Sequence, residues 1–143
     1  MRPRPPPLAA ALLLLAALAA TGCPGVTRGK EDADRAVADF HAEFNQGRFA
    51  AIWDAAAEDF KGRTSRQDLA ELLAAVRRKL GDVKGSTTRS WNVRSSNLTT
   101  FVLLVQDTSY ATGKATETFQ FVVKDGRAAL LGYDVSGRDL VLR

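Results

Sequence analysis

The chain has 143 residues, 45% hydrophobic and 25% charged, with 20 basic and 16 acidic side chains and a formal net charge of +4. These are ordinary proportions for one globular domain. A single cysteine excludes an intrachain disulfide, and nothing in the charge balance calls for nucleic acid.

The N-terminus is the most informative segment. Arg2 and Arg4 form a basic start, and Leu8 to Ala20 is an uncharged Leu/Ala run. That run is shorter than the roughly 20 residues a membrane-spanning helix needs, so it reads as the apolar region of a secretory signal peptide. Ala20-Thr21-Gly22-Cys23 follows and resembles the bacterial lipobox, with Ala20 where Leu is usual. The resemblance implies cleavage before Cys23, a thioether-linked diacylglycerol on its sulfur and an N-acyl chain. Two or more acyl chains suffice for stable anchoring. Residues 1–22 are thus expected to be a lipoprotein signal peptide, 23–29 a lipidated tether and 30–143 the domain. Extended, Pro24 to Gly29 reaches at most about 20 Å, which keeps the domain close to the bilayer. Arg2 and Arg4 leave with the leader, so the mature chain is nearly neutral.

Helical spacing comes next. Ala33, Val37, Phe40 and Phe44 recur at intervals of three and four, and Gly47 stops the run. A second helix carries Phe49, Ile52, Trp53, Ala56 and Phe60 and ends near Gly62. Thr64-Ser65-Arg66-Gln67 offers a capping box for a third, whose stripe is Leu69, Leu72, Leu73, Val76 and Leu80, with Gly81 as its stop.

Beyond Gly81 the period switches to two and β-branched residues rise. Strands are expected near 83–93, 98–110, 115–124 and 127–135, with a C-terminal tail that adds a short edge strand or frays. Asp125-Gly126 between apolar runs is the strongest hairpin signal and favours a type I′ turn. A simple two-residue loop there sets Val123 opposite Ala128, Phe121 opposite Leu130, Phe119 opposite Gly132 and Glu117 opposite Asp134. The fold class expected is α+β, with three N-terminal helices packed on a curved antiparallel four-stranded sheet.

This order of elements is similar to the nuclear transport factor 2-like superfamily of cone-shaped α+β domains. Val76-Arg77-Arg78-Lys79-Leu80-Gly81, Glu117-Thr118, Asp125-Gly126 and Gly132-Tyr133 resemble a family of small secreted bacterial domains of unknown function. The resemblance covers about residues 33–135. Ala128 stands where that family favours Trp, which implies a differently filled core. The family implies no reaction, cofactor or partner.

Few residues are candidates for chemistry. His41, the only histidine, lies at the border of the first apolar stripe with no neighbouring Ser or Cys nucleophile. It is expected to be a dispensable boundary side chain, and with Cys23 acylated it leaves no zinc ligand set. Trp53, Trp91, Tyr110 and Tyr133 are expected in the core or, alternatively, lining a pocket, with Trp53, Glu117, Tyr133 and Asp134 as the candidate pocket set. Glu117 lies on the face of Phe119 and Phe121, so its carboxylate needs a partner. An Arg77–Glu117 ion pair at one end of the cone is the expected solution.

No Gly-rich phosphate loop, HExxH, CxxC or GxSxG motif is present. The functional expectation is a non-enzymatic, lipid-anchored protein of the bacterial envelope, facing the periplasm and requiring no metal or cofactor. It binds a small ligand or an envelope protein. The alternative is a small cone-fold isomerase, dehydratase or hydrolase with Glu117, Asp134 or His41 as base.

Overall fold

The structure is a computed structural model that describes residues 24–142. Residues 1–22, expected as a signal peptide, together with Cys23 and Arg143, lie outside the described residues. Four helices precede the sheet: α1 (Pro24–Asn45), α2 (Phe49–Asp54), α3 (Glu58–Lys61) and α4 (Arg66–Leu80). The strands are β1 (Val83–Ser96), β2 (Thr99–Tyr110), β3 (Gly113–Lys124) and β4 (Arg127–Ser136), followed by α5 (Arg138–Leu142). They form one antiparallel sheet in the order β1-β2-β3-β4. The fold is α+β, as the switch in hydrophobic period predicts.

The helices depart from the expected three. The segment expected as a tether is the start of α1, and Gly29 packs so closely that a Cβ there would lie 3.1 Å from Thr100 Cγ2. The second expected helix is two. Ala57 takes an extended backbone and its N–H donates to the Leu130 carbonyl on β4 (2.8 Å), a tertiary bond that interrupts a continuous apolar pattern. The C-terminal tail is neither strand nor frayed end but α5, whose Asp139 carboxylate accepts from the Lys114 N–H (2.8 Å). Among the described residues there are therefore five helices.

The α4 cap falls one residue later than the expected box. Ser65 Oγ accepts from the Asp68 N–H at 3.0 Å. Leu69, Leu73, Val76 and Leu80 are buried, while Leu72 stays exposed at the edge of the stripe. Gly81 ends the helix at φ +77°, and an added Cβ would meet Ala111 Cβ at 2.8 Å, so both backbone and space require glycine.

Inward positions of β2 and β3 alternate strictly: Val102, Leu104, Gln106, Thr108 and Tyr110, then Ala115, Glu117, Phe119, Phe121 and Val123. The Asp125-Gly126 turn has positive φ at both central residues, as type I′ requires, and pairs Val123 with Ala128 and Phe121 with Leu130 as expected. Beyond that pair the register slips by one at Leu131. Phe119 then faces Tyr133 instead of Gly132, and Glu117 faces Val135 instead of Asp134. A bulge inverts the facing of everything after it. Here it turns Tyr133 toward the core and leaves Asp134 exposed.

Candidate functional site

α1, β2, β3 and β4 each send one polar side chain to a common point inside an otherwise apolar core. Glu117 is at its centre, 1% exposed. Its Oε2 accepts from His41 Nε2 at 2.7 Å and from Thr108 Oγ1 at 2.6 Å, and its Oε1 accepts from the Tyr133 hydroxyl at 2.7 Å. An ionised carboxylate only accepts, so His41 Nε2 carries a proton. The cross-strand diagonals place the two hydroxyls. Thr108 is opposite Ala115 and Tyr133 opposite Phe119, each two residues from Glu117 on the same face. The Leu131 bulge is therefore what delivers Tyr133.

Aromatic rings enclose the cluster. Phe40 meets Phe119 edge-on at 5.0 Å and Tyr133 at 4.8 Å, and His41 meets Phe119 edge-on at 5.9 Å. Tyr110 stands beside Glu117 and Tyr133, and its buried hydroxyl has neither within aligned hydrogen-bond geometry. Burial alone raises the Glu117 pKa. The His41 ring, then the Thr108 and Tyr133 hydroxyls, outweigh it and hold the carboxyl below its ordinary range. Burial first, and the Glu117 charge next, push both the Tyr110 and Tyr133 phenols well above theirs.

These contacts correct three expectations. Arg77 does not partner Glu117. Its Nε donates to Asp82 at 2.9 Å and its Nη2 to the Asn45 carbonyl at 2.6 Å, where it joins the ends of α1 and α4. A guanidinium at the last turn of α4 finds nearer acceptors at the surface, and Glu117 is already filled by three donors. His41 is not a boundary side chain but a buried hydrogen-bond partner of Glu117. It lies four residues after Val37 and three before Phe44, the spacing that puts it on the buried stripe.

The expected pocket set of Trp53, Glu117, Tyr133 and Asp134 does not assemble. Only Glu117 and Tyr133 meet. Trp53 packs on the core from α2, its indole N–H donating to the Thr64 carbonyl (2.8 Å) under the cations of Lys61 and Arg66. Trp91 is 48% exposed on β1, with Lys30 above its ring. Thr108 is missing from the sequence-derived set, although inward alternation along β2 marks it.

Among the described residues, three concavities adjoin this cluster, one of them an open groove of about 700 Å³ that Thr108 lines with Ala115. A cleft of about 410 Å³ lies between α1, α2 and the β3–β4 hairpin. Phe40, Ile52, Phe121, Ala128 and Leu130 form its apolar side, and Asp39 and Arg127 are among the charges on its rim. Phe40 separates it from the Glu117 cluster. On the other side, His41 lines a polar groove of about 410 Å³ with Asn45, Ser86, Thr88 and Gln106. Glu117 lines none of the three. No group of three or more His, Cys, Asp and Glu side chains among the described residues is placed to hold a metal. No protein-family model matches the chain, and no curated protein matches it.

Proposed function

We propose that this chain is a non-enzymatic lipoprotein of the bacterial envelope, held on a membrane through acylated Cys23 and facing the periplasm. On this reading its helices and curved sheet form a cone of the nuclear transport factor 2-like kind, and the domain binds a small amphipathic ligand. The observation that carries the ligand reading is the cleft between α1, α2 and the β3–β4 hairpin. It combines an apolar wall with charges at its mouth, and its volume suits a small molecule. Asp32 and Glu43 on the rim are occupied by Arg35 and Arg48, whereas Asp39 and Arg127 make no ion pair within the described residues. Ala128, where the resembled family favours Trp, keeps the cleft open. An envelope protein that inserts an amphipathic side chain there uses the same surface.

Anilinonaphthalene sulfonate, an apolar fluorophore with one anionic group, is a suitable probe. Its emission should rise on binding the wild-type protein. Ala128→Trp should reduce that rise about tenfold while leaving the melting temperature within a few degrees. Equal emission from both proteins would sink the cleft as the ligand site.

Anchoring is tested separately. The full-length protein expressed in a bacterium should sediment with membranes and carry a diacylglycerol mass on Cys23. Cys23→Ser should retain its signal peptide. An unmodified thiol at Cys23 in the mature protein would end the lipoprotein reading.

A second reading is supported by His41. It lines the polar groove with Ser86 and Thr88 while Glu117 holds its Nε2, an arrangement suited to a general base oriented by a buried carboxylate. Retained binding of the fluorophore in a folded His41→Gln protein favours the first reading. Turnover of any ester or hydroxy-acid substrate that His41→Gln abolishes favours the second.

A further inference from the structure

The start of α1 and the tip of the β1–β2 hairpin lie at the same end of the domain. Gly29 is the marker: a Cβ there would sit 3.1 Å from Thr100 Cγ2, 3.7 Å from Val102 Cγ2 and 3.8 Å from Val93 Cγ1. α1 runs from this end to the opposite one, where Asn45 hydrogen-bonds both backbone groups of Val83. Pro24 is one and a half helical turns before Gly29, an axial rise of about 7.5 Å. Leu98 is two residues beyond Thr100 along the strand, a rise of about 7 Å. From Gly29 and Thr100, the start of α1 and the hairpin tip thus both extend toward the same end of the domain.

That tip has an unexpected composition. Asn97 and Leu98 form the turn with φ of +47° and +65°. Asn and Gly suit such positions, whereas leucine meets steric cost there and gains nothing from local hydrogen bonding. Leu98 is also fully exposed. A bulky apolar residue held in a strained conformation at a solvent-facing tip contributes nothing to the domain's own packing. Phe101, 41% exposed, stands on the same hairpin three residues from Leu98. Between Trp91 and Leu104 the only charged residue is Arg94. Arg28 lies on the adjoining turn of α1, and Lys124 and Arg127 flank the neighbouring β3–β4 turn, with Asp125 as the acid among them.

An exposed apolar tip, an exposed aromatic beside it and a cationic surround match the boundary of a bilayer that carries anionic headgroups. We propose that the β1–β2 hairpin end is a membrane-docking surface, with Leu98 entering the acyl boundary beside the lipid anchor. This rests on the acylation of Cys23. Docking would fix the orientation of the domain and leave the opposite end, with the β2–β3 turn and α5, facing away from the lipid.

The test uses the full-length lipidated protein in vesicles of phosphatidylethanolamine and phosphatidylglycerol. Acylation blocks Cys23, so a fluorophore attaches only to an introduced thiol. Ser96→Cys places it beside the tip and Ser109→Cys at the far end; both positions are exposed. Quenching by a spin-labelled lipid should be about threefold stronger at position 96 than at 109, and Leu98→Asn should remove most of the difference. Leu98→Asn suits the turn, so loss of folding is not expected and circular dichroism confirms it. Equal quenching at the two sites, on protein that floats with the vesicles and carries the diacylglycerol mass, overturns the docking surface and leaves the anchor intact. Unchanged quenching in Leu98→Asn overturns the role of Leu98. A free thiol at Cys23 overturns the anchor and the docking proposal together.

Discussion

Glu117→Leu should lower the stability of the domain by about 3–5 kcal/mol, because it removes a buried charge and strands the groups that answer it. His41→Phe should cost a similar amount, about 3 kcal/mol, since it leaves the carboxylate buried with hydroxyl donors alone. The two changes share one interaction at 2.7 Å, so their effects cannot add. The double variant, with a leucine against a phenylalanine in an aromatic surround, should recover a large part of the loss. Urea unfolding of the four proteins measures this directly, and strict additivity would refute the pairing. Arg77→Ala is the control. Its contacts are with Asp82 and the Asn45 carbonyl at a partly exposed site, and it should not couple to Glu117 at all.

The same cluster fixes an acid response. The Glu117 carboxyl is held below its ordinary value of 4.5 in the folded chain. The unfolded chain therefore binds the proton at higher pH than the folded one does. The resulting stabilisation is whole above the unfolded value and drains away as pH falls through the folded value. Urea midpoints should lose this contribution progressively below about pH 4.5, and in Glu117→Leu that part of the acid slope should vanish. A variant and wild type with parallel slopes would show that Glu117 is not ionised in the native state.

Phe119→Ala should be the most damaging apolar truncation, at about 4 kcal/mol. Phe119 has no exposure and touches Phe40, His41, Phe121 and Tyr133. Its loss removes transfer energy, opens a cavity beside the His41–Glu117 hydrogen bond and lets water reach a carboxylate that the rings now exclude. Trp53→Ala makes the contrast. Trp53 is half-buried under two cations on the helical side, so its truncation should cost less than half as much. Equal losses in the two variants, measured by urea unfolding, would mean that Phe119 is not the centre of the core.

What was legible in the sequence was whatever depends on local period and local turn chemistry. Spacings of three and four placed α1 and α4, alternation placed β2 and β3, and Asp125-Gly126 placed the hairpin and its first pairs. The burial of Glu117 and its need for a partner followed from the same alternation. Which partner it takes did not. The split between α2 and α3 depends on one hydrogen bond from Ala57 to a strand that begins seventy residues later in the chain. The Leu131 bulge carries no mark in sequence, yet it exchanges Tyr133 for Asp134 on the inward face. The choice of His41 over Arg77 depends on where two helices lie over a sheet, a matter of packed distances across 76 residues of chain. Periodicity by itself determined the α+β class and the buried carboxylate. Tertiary structure decided the partners of Glu117 and the cleft, because each depends on contacts between elements whose relative placement no local pattern encodes.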